Sequence, residues 1–188
     1  MTSTSASIVS LADGVDIRTA ASEDHHGVVA VVREAFSAGG RDPQEEVDIV
    51  LATWNRGASG EGLELVAVAG DTIVGHVLSA WGRLDHREVV AVAPLSVLPS
   101  HQGIGVGRAL MTELLHRAAS AALPLILLLG DPGYYRRFGF EPSGPLAISY
   151  GQPDNPHFLV RRFPSYDPTY RGSFTYCWEQ EGDVAPHT

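Results

Sequence analysis

The chain contains no lysine, and that absence removes several kinds of chemistry at once. It rules out a Schiff base with a carbonyl substrate, an anchor for pyridoxal phosphate and a lysine general base. Cysteine is almost as scarce. Cys177 stands alone, so no internal disulfide forms, and its neighbours Phe174, Tyr176 and Trp178 make it a buried strand residue rather than a nucleophile. Long apolar runs are missing too: the longest, residues 118–129, holds Pro124 and is too short to span a bilayer. Residues 1–7 lack the basic region of a signal peptide. These absences predict a cytoplasmic protein with no membrane partner.

Positive charge is the last scarcity. The 13 basic residues, all arginine, face 22 acidic ones for a net charge near −9, which argues against a nucleic-acid partner. An acidic surface is compatible with a cationic amine substrate, and it also keeps a protein soluble. No His, Cys, Asp or Glu group has metal-ligand spacing, since His25 and His26 are adjacent and no His-x-x-x-His occurs. No Gly-x-Ser-x-Gly elbow is present. An arginine-only basic set rich in Ala, Gly and Val points to a GC-rich bacterial source.

What is present is organised around residues 93–110. They read as the end of a buried strand, a glycine-rich loop and the start of an amphipathic helix. Gly103, Gly105 and Gly107 leave the loop amides uncovered where a helix start already presents unpaired N–H groups and partial positive charge, an arrangement suited to phosphate. Close packing on a neighbouring strand would also favour glycine here. The dinucleotide fingerprint fails, because its third glycine would fall at Arg108 or Leu110, and the P-loop fails for want of lysine. Pro94 cannot donate a ladder hydrogen bond, so within a central strand it predicts a bulge or an edge.

Around this stretch the pattern predicts a flexible tail over residues 1–13 and one domain over 14–188. A first strand is expected at 15–18. A helix capped by Ser22 runs to about Phe36 with Val28, Val29, Val32 and Phe36 inward. A second helix starts at Asp42-Pro43 and carries Val47, Val50, Leu51 and Trp54. A hairpin follows over 63–84, then a buried strand over 89–97, a long helix over 105–121 and a strand over 125–129. A short helix at 134–137 leads to three weaker strands near 146–150, 158–163 and 173–178.

Gln102-Gly103-Ile104-Gly105-Val106-Gly107 resembles the Gln/Arg-x-x-Gly-x-Gly/Ala signature of the GCN5-related N-acetyltransferases, and the element order matches that family over residues 15–145. The resemblance implies an α/β (α+β) fold with a mixed, mostly antiparallel sheet, flanked by helices and opened by a splayed central strand pair. It implies acetyl-CoA as co-substrate. Its pyrophosphate would be held by Gln102, Gly103, Ile104, Gly105, Val106, Gly107 and Arg108, and its pantetheine arm by the main chain of Leu95, Ser96 and Val97. Tyr134-Tyr135-Arg136-Arg137-Phe138-Gly139-Phe140 is similar to a second family segment, in which the tyrosine matching Tyr135 protonates the departing thiolate. A packing role is the alternative for Tyr135.

The implied activity is transfer of an acetyl group to an amine of a small molecule or protein, by direct attack in a ternary complex, in a monomer or homodimer. Two departures stand out. The family's strand glutamate falls at about Ala91, and its asparagine has no counterpart in Gly130-Asp131-Pro132. Glu88, His86 and His76 lie nearby, and no general base is assigned. These gaps keep open a non-catalytic acyl-CoA-binding module, and beyond it a plain interaction domain.

Overall fold

A long antiparallel hairpin of small and β-branched residues forms the centre of the molecule. The structure, a computed structural model, describes residues 9–10, 14–40 and 42–180. The hairpin pairs β4 (Thr72–Leu84) with β5 (Arg87–Val97). Outward from β4 lie β3 (Leu65–Ala69), β2 (Val15–Thr19) and β1 (Val9–Ser10), each antiparallel to its neighbour. Outward from β5 lies β6 (Leu125–Leu129), which is parallel to it, followed by the antiparallel β9 (Phe158–Arg162) and β7 (Glu141–Pro142). The far end of β4 also pairs with β10 (Gly172–Tyr176), and β10 pairs with β8 (Ile148–Ser149).

Alternation along the strands sends residues to two cores. One face packs Val77, Val90, Val92, Ile126 and Leu128 against Val106, Leu110, Met111 and Leu114 of α3 (Val106–Ser120). The other receives Val28 and Val32 of α1 (His25–Ser37) and Val47 and Val50 of α2 (Gln44–Asn55), which meet Val66 and Leu78. Further along that face, Phe158, Val160, Phe174 and Tyr176 cover Ala91 and Leu127. The sheet is therefore sandwiched, as the near-continuous apolar sequence of β5 and β6 requires.

Several sequence expectations shift here. Ser22 does not cap the first helix. Residues Ser22–Asp24 form a 3-10 turn, and Asp24 accepts from the Ala21 N–H at 2.8 Å while both its oxygens hold Arg18 at 2.6 and 2.8 Å. Val28 and Val32 are buried with Val29 and Phe36 half-buried against them as expected, and Val31 is buried as well. Leu51 is turned outward at 39% exposure. Only two residues of the 146–150 stretch form β8, because Gly144–Leu146 make a 3-10 turn through Pro145. β10 stops at Tyr176, where Cys177–Glu179 wind into another such turn, so Cys177 is buried as expected but lies just past the strand. Of the expected N-terminal tail, Val9–Ser10 pairs with β2, and the remainder lies outside the described residues.

Candidate active site

The site begins with a broken ladder. β5 and β6 pair only at Val90↔Ile126, Ala91↔Leu127 and Val92↔Leu128. β5 continues to Val97 without β6, so the edge of residues 93–97 facing away from β4 is left open. On the β4 side the register slips between Val77↔Leu95 and Ser79↔Val92, setting Leu78 against both Ala93 and Pro94. That is a bulge at Pro94, where a missing N–H costs the ladder least.

At the tip of β5, the loop into α3 turns through Gly103 (φ 77°) and Gly105 (φ 103°), a region in which side chains are strained. A Cβ at either position would meet nothing within 4 Å, so the loop's outer surface is open. No side chain caps α3, and its first-turn amides face out of the helix end. α3 is held close to the sheet: a Cβ on Gly75 of β4 would lie 3.0 Å from Val106 and 3.1 Å from Leu110. Gln102 turns back, donating Nε2 to the Val97 carbonyl at 2.9 Å, which ties the loop to the strand end. Ile104 is half exposed and Arg108 exposed, whereas Val106 is buried and offers only its backbone outward. Leu95 and Val97 pack toward α3, while Ser96 is buried on the opposite face, across from His76.

The splay opens into a cavity of about 1240 Å³ on the α2 face of the sheet. Val92, Ala93, Pro94 and Leu95 form one wall, with Leu129, Gly130, Asp131 and Tyr135 beyond the end of β6. α2 supplies Glu45, Glu46, Asp48, Ile49 and Ala52; the C-terminal segment supplies Tyr150, Asn155, His157, Tyr176, Trp178 and Glu179. Among the described residues five carboxylates thus line it and no arginine does. The aromatic wall is rigid: Tyr176 stacks on Trp178 at 4.2 Å and meets Tyr150 edge-on at 5.1 Å. Glu179 locks that wall, accepting from Tyr150 Oη at 2.7 Å and from the Tyr176 N–H at 2.9 Å.

Tyr135 follows the one-turn helix α4 (Pro132–Tyr135), whose start Asp131 caps through the Gly133 N–H at 2.9 Å. Its ring lies on Gly130, where any Cβ would run into it, and edge-on to Tyr134 at 4.9 Å and Phe140 at 5.8 Å. Burial, with Tyr134 beside it, holds the Tyr135 phenol well above its ordinary range, so it stays protonated. Tyr150 is raised as well, first by burial, then by its bond to Glu179 and the charges of Glu179 and Glu45. Glu45 on α2 and Tyr150 on the C-terminal segment therefore feel each other across the cavity.

The sequence left two aromatic and histidine questions that the geometry answers. Trp54 does not line the cavity; it stacks on His25 at 3.8 Å and donates Nε1 to Glu64 at 2.9 Å. His76 is fully buried, with Nε2 3.0 Å from the same carboxylate, which also accepts from Ser59 at 2.9 Å. Burial pushes Glu64 up, but His76, Trp54 and Ser59 together outweigh it and hold the carboxyl below its usual range. This is a structural node. Glu88 and His86 are exposed at the far hairpin end, and Ala91 is sealed in the core. None of the cavity residues on α2 or the C-terminal segment stood among the site residues read from the sequence. The Glu45-Glu46 and Asp48 spacing on α2 was the available signal, and it reads equally as the acidic first turn of any helix.

Known proteins carry the same arrangement. A family profile described as an acetyltransferase (GNAT) domain matches residues 61–142, the stretch from β3 through the Tyr135 segment. The N-acetyltransferase YjhQ of Escherichia coli is 31% identical over 102 residues; the match spans 52% of this chain and only 56% of that relative's length. YhbS of Escherichia coli is 28% identical over 123 residues, 63% of this chain and 68% of its own. The crystal structure of YhbS in complex with CoA superposes with a TM-score of 0.78 at 25% identity, covering 93% of this chain and 97% of that one. A Brucella melitensis GNAT acetyltransferase in complex with acetyl-CoA gives 0.71 at 29% identity, covering 87% and 96%. The glycine loop, the splayed strands and the aromatic segment thus lie in a chain that matches the acetyltransferase (GNAT) domain over residues 61–142 and shares the fold of GNAT acetyltransferases solved with CoA and acetyl-CoA.

Proposed function

We propose that this protein is an acyltransferase that moves the acetyl group of acetyl-CoA onto an amine by direct attack in a ternary complex. The observation that carries this reading is the junction of the β5–β6 splay with the carboxylate-lined cavity, with Tyr135 standing at the junction. The open edge of residues 93–97 fits a pantetheine arm lying alongside it as an extra strand. The uncapped amides of the Gly103–Gly107 loop fit its pyrophosphate. A main-chain N–H near Leu95 would face the thioester oxygen and stabilise the charge that develops there.

The other side of the junction suits the acceptor. Carboxylates beside fixed aromatic faces, with no arginine among the described lining residues, attract an ammonium by charge and by cation–π contact. The amine nitrogen forms its bond to the carbonyl carbon, the carbon–sulfur bond breaks, and the sulfur needs a proton. A phenol raised by burial is a weaker acid than an alkyl thiol, so Tyr135 serves as a hydrogen-bond donor to the departing sulfur. Its proton moves fully only as the new amide nitrogen surrenders its own. The single buried cysteine suits a reducing cytoplasm, where acetyl-CoA is at hand.

Release of free thiol from acetyl-CoA over a panel of amines tests the reading. Acetyl-CoA at ten times its Kd should stabilise the fold by about 1.4 kcal/mol, and amine should then trigger thiol release. Binding without release for every amine would identify an acyl-CoA-binding module instead. Tyr135→Phe should lower kcat by about 100-fold with the acetyl-CoA Kd nearly unchanged.

A further inference from the structure

We propose that His157 is the general base that takes the proton from the acceptor ammonium, an assignment that rests on the acyl-transfer reading above. His157 lies on the cavity wall beside Gly130 and Asp131. It is fixed to Gly130 twice: its carbonyl accepts from the Gly130 N–H at 2.9 Å, and its ring Nδ1 lies 3.3 Å from the Gly130 carbonyl oxygen. A carbonyl oxygen only accepts, so Nδ1 must carry the hydrogen. In the neutral ring that leaves Nε2, the other nitrogen, as a bare lone pair. The same residue seats the Tyr135 ring, since a Cβ on Gly130 would collide with it. Gly130 therefore holds a proton donor and a proton acceptor at the end of β6, where the splay meets the cavity.

The other titratable groups on this wall are less suited to the task. Asp131 is engaged by the Gly133 amide, Asp48 by Gln44 at 2.7 Å, and Glu179 by Tyr150 and the Tyr176 amide. Glu46 on α2 is buried, and for Glu45 beside it a carboxylate as a class is a weaker base than imidazole by about two pK units. The phenols of Tyr135, Tyr150 and Tyr176 are all held protonated by burial. The carboxylates favour the charged form of the incoming amine, which makes a base necessary.

The protons balance. The ammonium gives one proton to His157 Nε2, and the neutral amine forms its nitrogen–carbon bond as the carbon–sulfur bond breaks. The thiolate is protonated from Tyr135, which regains its proton from the nitrogen, and the imidazolium releases one proton to solvent.

The test compares thiol release for two alkylamines, 2-phenylethylamine and 1,3-diaminopropane, with release for the weakly basic 4-methoxyaniline, which is already neutral in the assay. His157→Gln retains a donor for the Gly130 carbonyl. It should lower kcat/KM for the alkylamines by about 100-fold and for the arylamine by less than about 5-fold. The wild-type alkylamine pH profile should lose its plateau, leaving a rate that climbs with the free-amine fraction toward the amine's own pKa, and imidazole added to His157→Ala should restore part of the rate. Unchanged melting and acetyl-CoA affinity show that the variant is folded; if it is not, His157→Asn replaces it. Equal losses for both amine classes, or an alkylamine pH profile that keeps the wild-type plateau, would overturn the assignment. A wild-type protein that binds acetyl-CoA but releases no thiol with any of the three amines would overturn the acyl-transfer reading, and this assignment with it.

Discussion

The two sides of the β5–β6 splay are built in opposite ways. On the α3 side a single continuous segment, residues 97–108, supplies main-chain amides, an arginine and no carboxylate. On the α2 side the cavity is assembled from six separated pieces of chain and presents carboxylates, aromatic rings and an imidazole, with no arginine on its wall among the described residues. One side is made of backbone and suited to an anion; the other is made of side chains and suited to a cation. Backbone recognition constrains the sequence tightly, because only glycine leaves amides bare at positive φ. Side-chain recognition can be recomposed residue by residue without disturbing the sheet. The half that would bind a shared acyl donor is thus the rigid half, and the half that would choose an acceptor is free to vary.

The largest effect that could break this contrast is expected at the loop. Gly105→Glu places a side chain at φ 103° and a negative charge at the helix start. It should weaken acetyl-CoA binding by more than about 100-fold, and left-handed strain should cost about 1–2 kcal/mol in stability. Calorimetric titration and thermal melts check both. Normal affinity in the variant would mean that the loop amides hold no anion.

An intermediate effect is expected on the other wall. Replacing Glu45 and Asp48 with Gln and Asn should raise KM for a diamine by about 10-fold, leave the acetyl-CoA Kd unchanged, and flatten the salt dependence of KM. Initial rates at two ionic strengths suffice. If the acetyl-CoA Kd moved instead, the two sides would not be separate sites.

Gln102→Ala is the smallest and sharpest. Its side chain bonds the Val97 carbonyl, so the variant should lose about 1 kcal/mol of stability while acetyl-CoA affinity changes less than about 3-fold. A large affinity loss with unchanged melting would put that amide on the ligand rather than on the strand.

The same contrast explains what could be read from the chain in order. Alternation and glycine punctuation place β4, β5, α3 and β6 within a residue or two, because each buries a periodic apolar face. Pro94 announces the bulge for a local reason, its missing N–H. The first helix is entered through a 3-10 turn rather than at a Ser22 cap, and the sequence does not reveal that Arg18 holds that turn's Asp24 from a different element. The C-terminal strands are missed in detail because β7 and β8 are two residues each and exist only through their partners. His157 shows the limit most plainly. Twenty-seven residues separate it from Gly130, nothing in Pro156-His157-Phe158 marks it, and only the β6–β9 pairing brings the two together.

By itself, then, the sequence determined the strand–loop–helix unit and the bulge beside it, since both follow from backbone rules acting over a few residues, and its composition alone removed lysine chemistry. The tertiary structure alone decided that β5 and β6 part after Val92, that α2 and the C-terminal segment face each other across the opening, and that Tyr135 and His157 meet at Gly130. Those outcomes depend on which distant surfaces pack together, and packing is settled by the whole core rather than by any local pattern.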